Sequence, residues 1–235
     1  MAQRSAAKRL WYGFLQVTCR LAAVAACRIR VAGREHVPRE GGGLLLSNHQ
    51  SHLDPVLMGL ACDRRLNYLA RESLFRFAPF RWLIQSLDAI PIDREGVGLS
   101  GLKETLRRLK QEELVLIFPE GTRSRDGEIS PLRPGFCALA RRGRAPLVPV
   151  GLDGAFTAFP RSALFPRPAR LAVVFGEPLL QEELAGLSDE ELVAEVERRI
   201  RSCHAAARRL LRRSPDCDPS YALEWLPEWV VGANN

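Results

Sequence analysis

The sequence predicts a single α/β domain with a largely parallel central sheet flanked by helices, preceded by an N-terminal amphipathic helix. Three observations carry that prediction. After Arg34, short apolar runs bounded by turn residues alternate with stretches of helical period. The most apolar of these runs, such as residues 114–118, are hydrophobic throughout, as strands covered on both faces must be. A chain of 235 residues with 46% hydrophobic content is also large enough for one sizeable core.

Taken in order, residues 5–28 read as a helix, with Leu10, Trp11, Phe14, Leu15, Leu21, Ala22 and Ala25 near a 3.6 period. Residues 1–34 hold seven basic residues and no acidic one, while the other 27 basic residues match 27 acidic ones. The net charge of +7 is therefore an N-terminal property. Nucleic-acid binding would place a basic patch on the folded body, so that partner is not expected. Basic residues interleaved with Trp11, Tyr12, Phe14 and Leu15 point instead to an anionic membrane surface. A bilayer span wants about 20 apolar residues, and a central arginine costs about 2.5–3.5 kcal/mol. Arg20 and Gln16 interrupt this run, which favours a helix lying in the interface. Two other readings stay open: a signal sequence, since Val24–Cys27 resembles a lipoprotein processing site, and an ordinary helix packed on the domain.

Strands are expected at residues 44–47, 66–70, 89–93, 114–118, 146–152 and 171–175. Helices are expected at 55–62, 73–86, 98–110, 136–142 and 190–213. The first of these strands, Leu44-Leu45-Leu46, follows the glycine cluster 41–43, and Pro119 ends the strand at 114–118 because it cannot donate to a ladder. In the last helix Leu192, Val193, Val196 and Ile200 share one face, as a packed outer helix requires. Residues 214–235, with Pro215, Pro219 and Pro227 among Trp225 and Trp229, read as an irregular docked tail. The organisation is thus 1–34 as the basic helix, 35–213 as the folded domain and 214–235 as the tail.

The chemistry-bearing residues cluster where strands end. His49 lies between the first strand and a helix that starts at Asp54-Pro55, with Asp54 as N-cap and Pro55 at the first helical position. A turn can bring the two side chains together, and an imidazole oriented by a carboxylate is the smallest unit of general-base catalysis. The loop Pro119-Glu120-Gly121-Thr122-Arg123-Ser124 follows a central strand, where open α/β sheets place their ligands. Gly121 allows backbone N–H groups to approach an anion, Thr122 offers a hydroxyl, and Arg123 offers a fork matched to phosphate oxygens. Glu120 is unusual beside a phosphate; it fits a role holding a neighbouring arginine or accepting a bond from a substrate hydroxyl. Arg94 follows the strand at 89–93 and can end on the same sheet edge.

The remaining reactive residues suggest less. The six cysteines form no CxxC pair and no metal-finger spacing, so they read as buried thiols of a reducing compartment. His52 beside His49 and Asp54 has no obvious fourth partner for zinc. Ser51 and Cys62 lack a nucleophile motif, and His36 and His204 lie outside any constellation.

Four blocks together resemble the 1-acylglycerol-3-phosphate O-acyltransferase family of glycerolipid synthesis. They are Asn48-His49 to Asp54, Ile90 to Arg94, Phe118 to Ser124, and Val148-Pro149-Val150, in the family's order. The resemblance covers roughly residues 28–180. Two positions depart from the usual pattern: Arg71 where lysine is common, and Arg133-Pro134-Gly135 where lysine and glycine are more usual. The resemblance implies that His49 is the base, Asp54 its orienter, and that Arg94, Glu120, Gly121, Thr122 and Arg123 bind the acceptor. It implies no metal and no cofactor, the acyl donor being a substrate, acyl-CoA or acyl carrier protein. The product would be phosphatidic acid, made by an enzyme on the cytoplasmic face of a membrane, peripheral or monotopic. Another lysophospholipid or lipid acceptor, or a non-catalytic protein that binds lipid phosphate, are the alternative readings.

Overall fold

The computed structural model describes residues 29–71, 89–92, 99–161, 163 and 166–212. The helices expected at 5–28 and 73–86, residue Arg94 and the tail at 214–235 lie outside the described residues.

A strand that is central in a parallel sheet must be apolar on both faces, and Gly43–Ser47 (β2) meets this with every residue buried. Around it the described residues form a seven-stranded sheet. Its strands are Ile29–Ala32 (β1), β2, Leu66–Arg71 (β3), Ala89–Ile92 (β4), Leu114–Ile117 (β5), Leu147–Asp153 (β6) and Leu171–Phe175 (β7). Their order across the sheet is β1-β7-β6-β2-β5-β3-β4. From β6 to β4 all neighbours are parallel. Strand β7 runs antiparallel to β6, and β1 lies parallel to β7 at the edge. The carboxyl ends of β2, β5, β3 and β4 therefore share one edge of the sheet, which is where ligand loops gather in such folds.

Side chains alternate across the sheet and build a core on each face. Leu45, Leu114, Leu116 and Val150 meet Leu57, Met58 and Leu60 from Asp54–Ala61 (α1). On the other face Leu44, Leu46, Val115 and Ile117 meet Leu109 of Leu99–Lys110 (α2) and Leu139 of Cys137–Gly143 (α3). Leu192, Val196 and Ile200 of the 24-residue Asp189–Arg212 join the same cluster. Two short helices, Ala155–Ala158 (α4) and Gln181–Ala185 (α5), precede that long one (α6) and were not expected from the sequence. Ser188 and Glu191 cap α6 reciprocally, each accepting the other's backbone N–H. Gly151 lets α6 approach β6 closely, since a Cβ there would lie 2.1 Å from the His204 backbone nitrogen.

One boundary needs correction. Residues 29–32, placed in the N-terminal helical unit by their basic context, form β1 and pair in register with Leu171–Val174 of β7. A four-residue edge strand is too short to show a period, and Arg30 at its second position masks its apolar character. The expected burial of the cysteines holds for Cys62, Cys137 and Cys203, whose thiols burial pushes up to about 11.

Candidate active site

The turn after β2 is clamped before it presents any chemistry. The Asn48 side chain pairs with the Leu152 backbone, donating to its carbonyl at 2.8 Å and accepting its N–H at 2.7 Å. That double bond holds the turn to the end of β6. Ser51 gives its hydroxyl proton to the Phe159 carbonyl at 2.8 Å and accepts the Leu53 N–H at 3.1 Å, so its oxygen is occupied by local structure.

Within this turn His49 Nδ1 lies 2.7 Å from Asp54 Oδ2. The same oxygen accepts the backbone N–H of Gln50 at 2.6 Å and of Ser51 at 2.8 Å. Asp54 is completely buried, and its other oxygen has no hydrogen-bond partner among the described residues. An ionised carboxylate oxygen accepts from each of its partners, so Nδ1 is the nitrogen that faces Asp54 as a donor and Nε2 is the one not engaged by it. Asp54 is not the N-cap. That place belongs to Leu53, and Asp54 is the first helical residue, its carboxylate folded back onto the turn instead of forward onto the helix.

Three contacts from the loop after β5 fix His49, one on its ring and two on its backbone. Phe118 stacks on the imidazole with centroids 4.0 Å apart and planes inclined by 15°. The His49 N–H donates to Glu120 Oε1 at 2.7 Å, and its carbonyl accepts the Ser124 N–H at 2.7 Å. The sequence thus brings its two principal blocks together.

The structure alters what Glu120 does. Its second oxygen accepts the Ser130 N–H at 2.9 Å and the residue is only 2% exposed. The carboxylate therefore neither holds an arginine nor faces a substrate hydroxyl, as the sequence suggested; it ties the His49 backbone to the loop. Burial raises its pKa, and the bonds from Ser130 and His49 offset that only in part. Gly121 adopts φ +68°, and its own N–H is used by the Phe118 carbonyl at 3.0 Å, so it serves the turn and offers no donor to an anion. Thr122 is exposed and Arg123 half-buried beside it. The pKa of His52 is lowered, first by partial desolvation and then by the charges of Arg123 and His49, with a further contribution from Arg161. Arg123 and Arg161 thus act electrostatically on the same turn. Strand β4 brings its carboxyl end to this edge, while Arg94 itself lies outside the described residues. Among the described residues no three His, Cys, Asp or Glu side chains are placed to hold a metal ion.

Sequence reading missed the support behind the turn. Gln50 is buried and donates to the Gly127 carbonyl at 2.8 Å and to Asp153 Oδ1 at 3.3 Å, and accepts the Phe156 N–H at 3.3 Å. The same Asp153 oxygen lies 3.1 Å from His204 Nε2, on α6. The 3.3 Å approach of Gln50 Nε2 to His204 Nε2 follows from two donors sharing one acceptor. The adjacency of Gln50 to His49 was the only signal available; nothing in the sequence linked it to residue 204.

The comparisons agree with this architecture. The family model described as Acyltransferase matches residues 28–153. The chain is 31% identical over 167 residues to a 1-acyl-sn-glycerol-3-phosphate acyltransferase of Bacillus subtilis, covering 71% of this chain and 81% of that one. It is 32% identical over 185 residues to the Pseudomonas aeruginosa protein of that name, covering 74% and 70%. Against the Limnanthes douglasii relative the identity is 30%, covering 64% of this chain and 54% of that one, so the chain spans about half of that plant protein. The crystal structure of the 1-acyl-sn-glycerophosphate acyltransferase PlsC from Thermotoga maritima superposes with a TM-score of 0.75 at 23% identity, covering 92% of this chain and 86% of that one. That likeness is one of fold. By the span of the family match and the identity to its bacterial relatives, the chain belongs to the 1-acylglycerol-3-phosphate O-acyltransferase family of glycerolipid acyltransferases.

Proposed function

We propose that this enzyme moves an acyl chain from an acyl thioester, acyl-CoA or acyl carrier protein, to the free hydroxyl of 1-acylglycerol-3-phosphate, forming phosphatidic acid. The observation that carries the reading is the His49–Asp54 contact at 2.7 Å, with Nδ1 engaged and Nε2 left as a base. The names of the bacterial relatives support the choice of acceptor.

In this reading His49 Nε2 takes the hydroxyl proton as the oxygen attacks the thioester carbonyl carbon. Asp54 holds the ring in the required tautomer and stabilises the imidazolium that forms. As the tetrahedral intermediate collapses, the C–S bond breaks and the proton passes from His49 to the departing sulfur. The products are the new ester and a free thiol. Arg123, with Arg94 and Thr122, binds the acceptor phosphate; the Gly121 turn shapes that loop, and Glu120 holds the His49 backbone. No cofactor is needed for this chemistry. A lipid acceptor brings the enzyme to a membrane, with the basic residues of 1–34 toward anionic headgroups on its cytoplasmic face. Among the described residues no helix is long and apolar enough to cross a bilayer.

The direct test mixes full-length protein, acyl-CoA and 1-acylglycerol-3-phosphate and follows free thiol together with the lipid product. Thiol release that depends on the acceptor and yields phosphatidic acid is expected. Retained lipid binding without thiol release, using either donor and a panel of lysophospholipid acceptors, would overturn the reading in favour of a lipid-phosphate binding protein.

A further inference from the structure

The loop after β5 carries a further cation, Arg133, at its surface. A Cβ built on Gly121 would lie 3.0 Å from Arg133 Nε, 3.1 Å from its Cδ and 3.3 Å from its Cζ. The guanidinium end of Arg133 is therefore laid against the bare Cα of Gly121, a place only glycine leaves open. Its backbone is fixed as well, since the Arg133 N–H donates to the Pro119 carbonyl at 2.9 Å. Leu132 and Phe136 on either side are buried in the core, while Arg133 itself is exposed.

Among the described residues no carboxylate pairs with this arginine. The nearest in sequence to Gly121, Glu120, has both oxygens committed to the His49 and Ser130 N–H groups. An arginine pinned at its backbone and its stem, with its fork open to solvent one loop residue away from Thr122, is arranged to receive an anion. The contact on Gly121 runs from Cδ through Nε to Cζ, so the stem and the near edge of the guanidinium are both fixed there.

We propose that Arg133, held against Gly121, contacts phosphate oxygens of a substrate and adds to the site proposed for Arg123 on the same loop. The inference rests on the acyl-transfer reading above. Phosphate reaches this edge from two sources, the phosphomonoester of the acceptor or the phosphates of a CoA donor, and the fork geometry suits both.

Steady-state kinetics on the full chain separate them. The KM for 1-acylglycerol-3-phosphate is measured at saturating acyl-CoA, and the KM for acyl-CoA at saturating acceptor, for wild type, Arg133→Gln and Arg133→Lys. Loss of one exposed charge-assisted contact should raise one KM about tenfold in Arg133→Gln with kcat held within about twofold. Arg133→Lys, which keeps the charge but not the planar fork, should recover part of that loss. A rise in the acceptor KM assigns the lipid phosphate; a rise in the donor KM assigns the CoA phosphates; either supports the proposal. Unchanged KM values in an active Arg133→Gln overturn it, as does a fall in kcat and melting temperature together with both KM values unmoved, which marks a loop support. A wild-type protein that releases no thiol fails the acyl-transfer reading itself and takes this inference with it.

Discussion

Among the described residues there are two histidine–carboxylate pairs, at 2.7 Å and 3.1 Å, and their exposures are reversed. In the first, His49 is 19% exposed and Asp54 is wholly buried; in the second, His204 is 5% exposed and Asp153 19%. The first pair engages Nδ1 and leaves Nε2 unused by its carboxylate, whereas the second spends Nε2 on the carboxylate. A general base needs the imidazole outside and its orienter inside, because the ring must reach a substrate and the carboxylate must be held away from water. The second pair is inverted and therefore works as a brace. Gln50 joins the two, its backbone N–H on Asp54 and its side chain on Asp153. Contact distance alone does not separate the base proposed at His49 from a brace; the engaged nitrogen and the direction of burial are what distinguish the two pairs.

The largest expected effect breaks the first pair. His49→Ala should lower kcat for acyl transfer by about 10²–10⁴-fold with acceptor affinity little changed, since only the proton acceptor is removed. Asp54→Asn should fall in the same range, because an amide offers Nδ1–H a weaker partner and loosens the turn whose N–H groups the carboxylate holds. Thiol release by each variant is the measurement. His49→Ala turning over within about threefold of wild type would remove the distinction between base and brace.

How much of this was legible in the sequence follows from distance along the chain. His49 and Asp54 are separated by a single turn, so their meeting could be argued locally. The five-residue apolar run 114–118 marked a central strand and thereby the edge on which its loop must lie. Partners distant in sequence were not visible. Glu120 meets the backbone of a residue 71 positions earlier, and Gln50 meets a histidine 154 positions later. The direction of a carboxylate on a loop depends on which backbone amides that loop passes, and no residue pattern records it. Arg133 was noticed only as a departure from the family's lysine; its place over Gly121 depends on a positive φ and a missing Cβ. Strand β1 was lost to its basic neighbours, being recognisable only once β7 is there to pair with it.

A smaller effect is expected in the brace. His204→Ala removes a donor from Asp153 and opens space where α6 packs on β6, so stability should fall by about 1–3 kcal/mol. Because the ring contacts of His204 are to Asp153 and Gln50 and not to the proposed base, kcat measured below the melting transition should stay within about fivefold of wild type. Urea unfolding and thiol release on the same preparation check both halves. A hundredfold loss of kcat with unaltered stability would mean that the second pair shares in the chemistry and that the contrast in exposure had been misread.

The smallest effect is a pH dependence that sharpens what the brace is made of. Burial alone would raise the pKa of Asp153, but hydrogen bonds from His204 and Gln50, with the charges of His204 and Arg208, outweigh it and hold the carboxyl below its ordinary 3.8. For an acid whose folded pKa is depressed, the unfolded chain binds the proton first. Its stabilisation is therefore full above the unfolded value and is lost as pH falls through the folded one. Asp153→Asn keeps the shape and one acceptor but not the charge, so it should cost about 1 kcal/mol at neutral pH. That difference from wild type should shrink once the pH drops below about 3.8. Urea midpoints of the two proteins between pH 7 and pH 3 test it. A gap that stays constant across that range would place the worth of Asp153 in its packing, leaving His204 and Gln50 held by geometry and not by its negative charge.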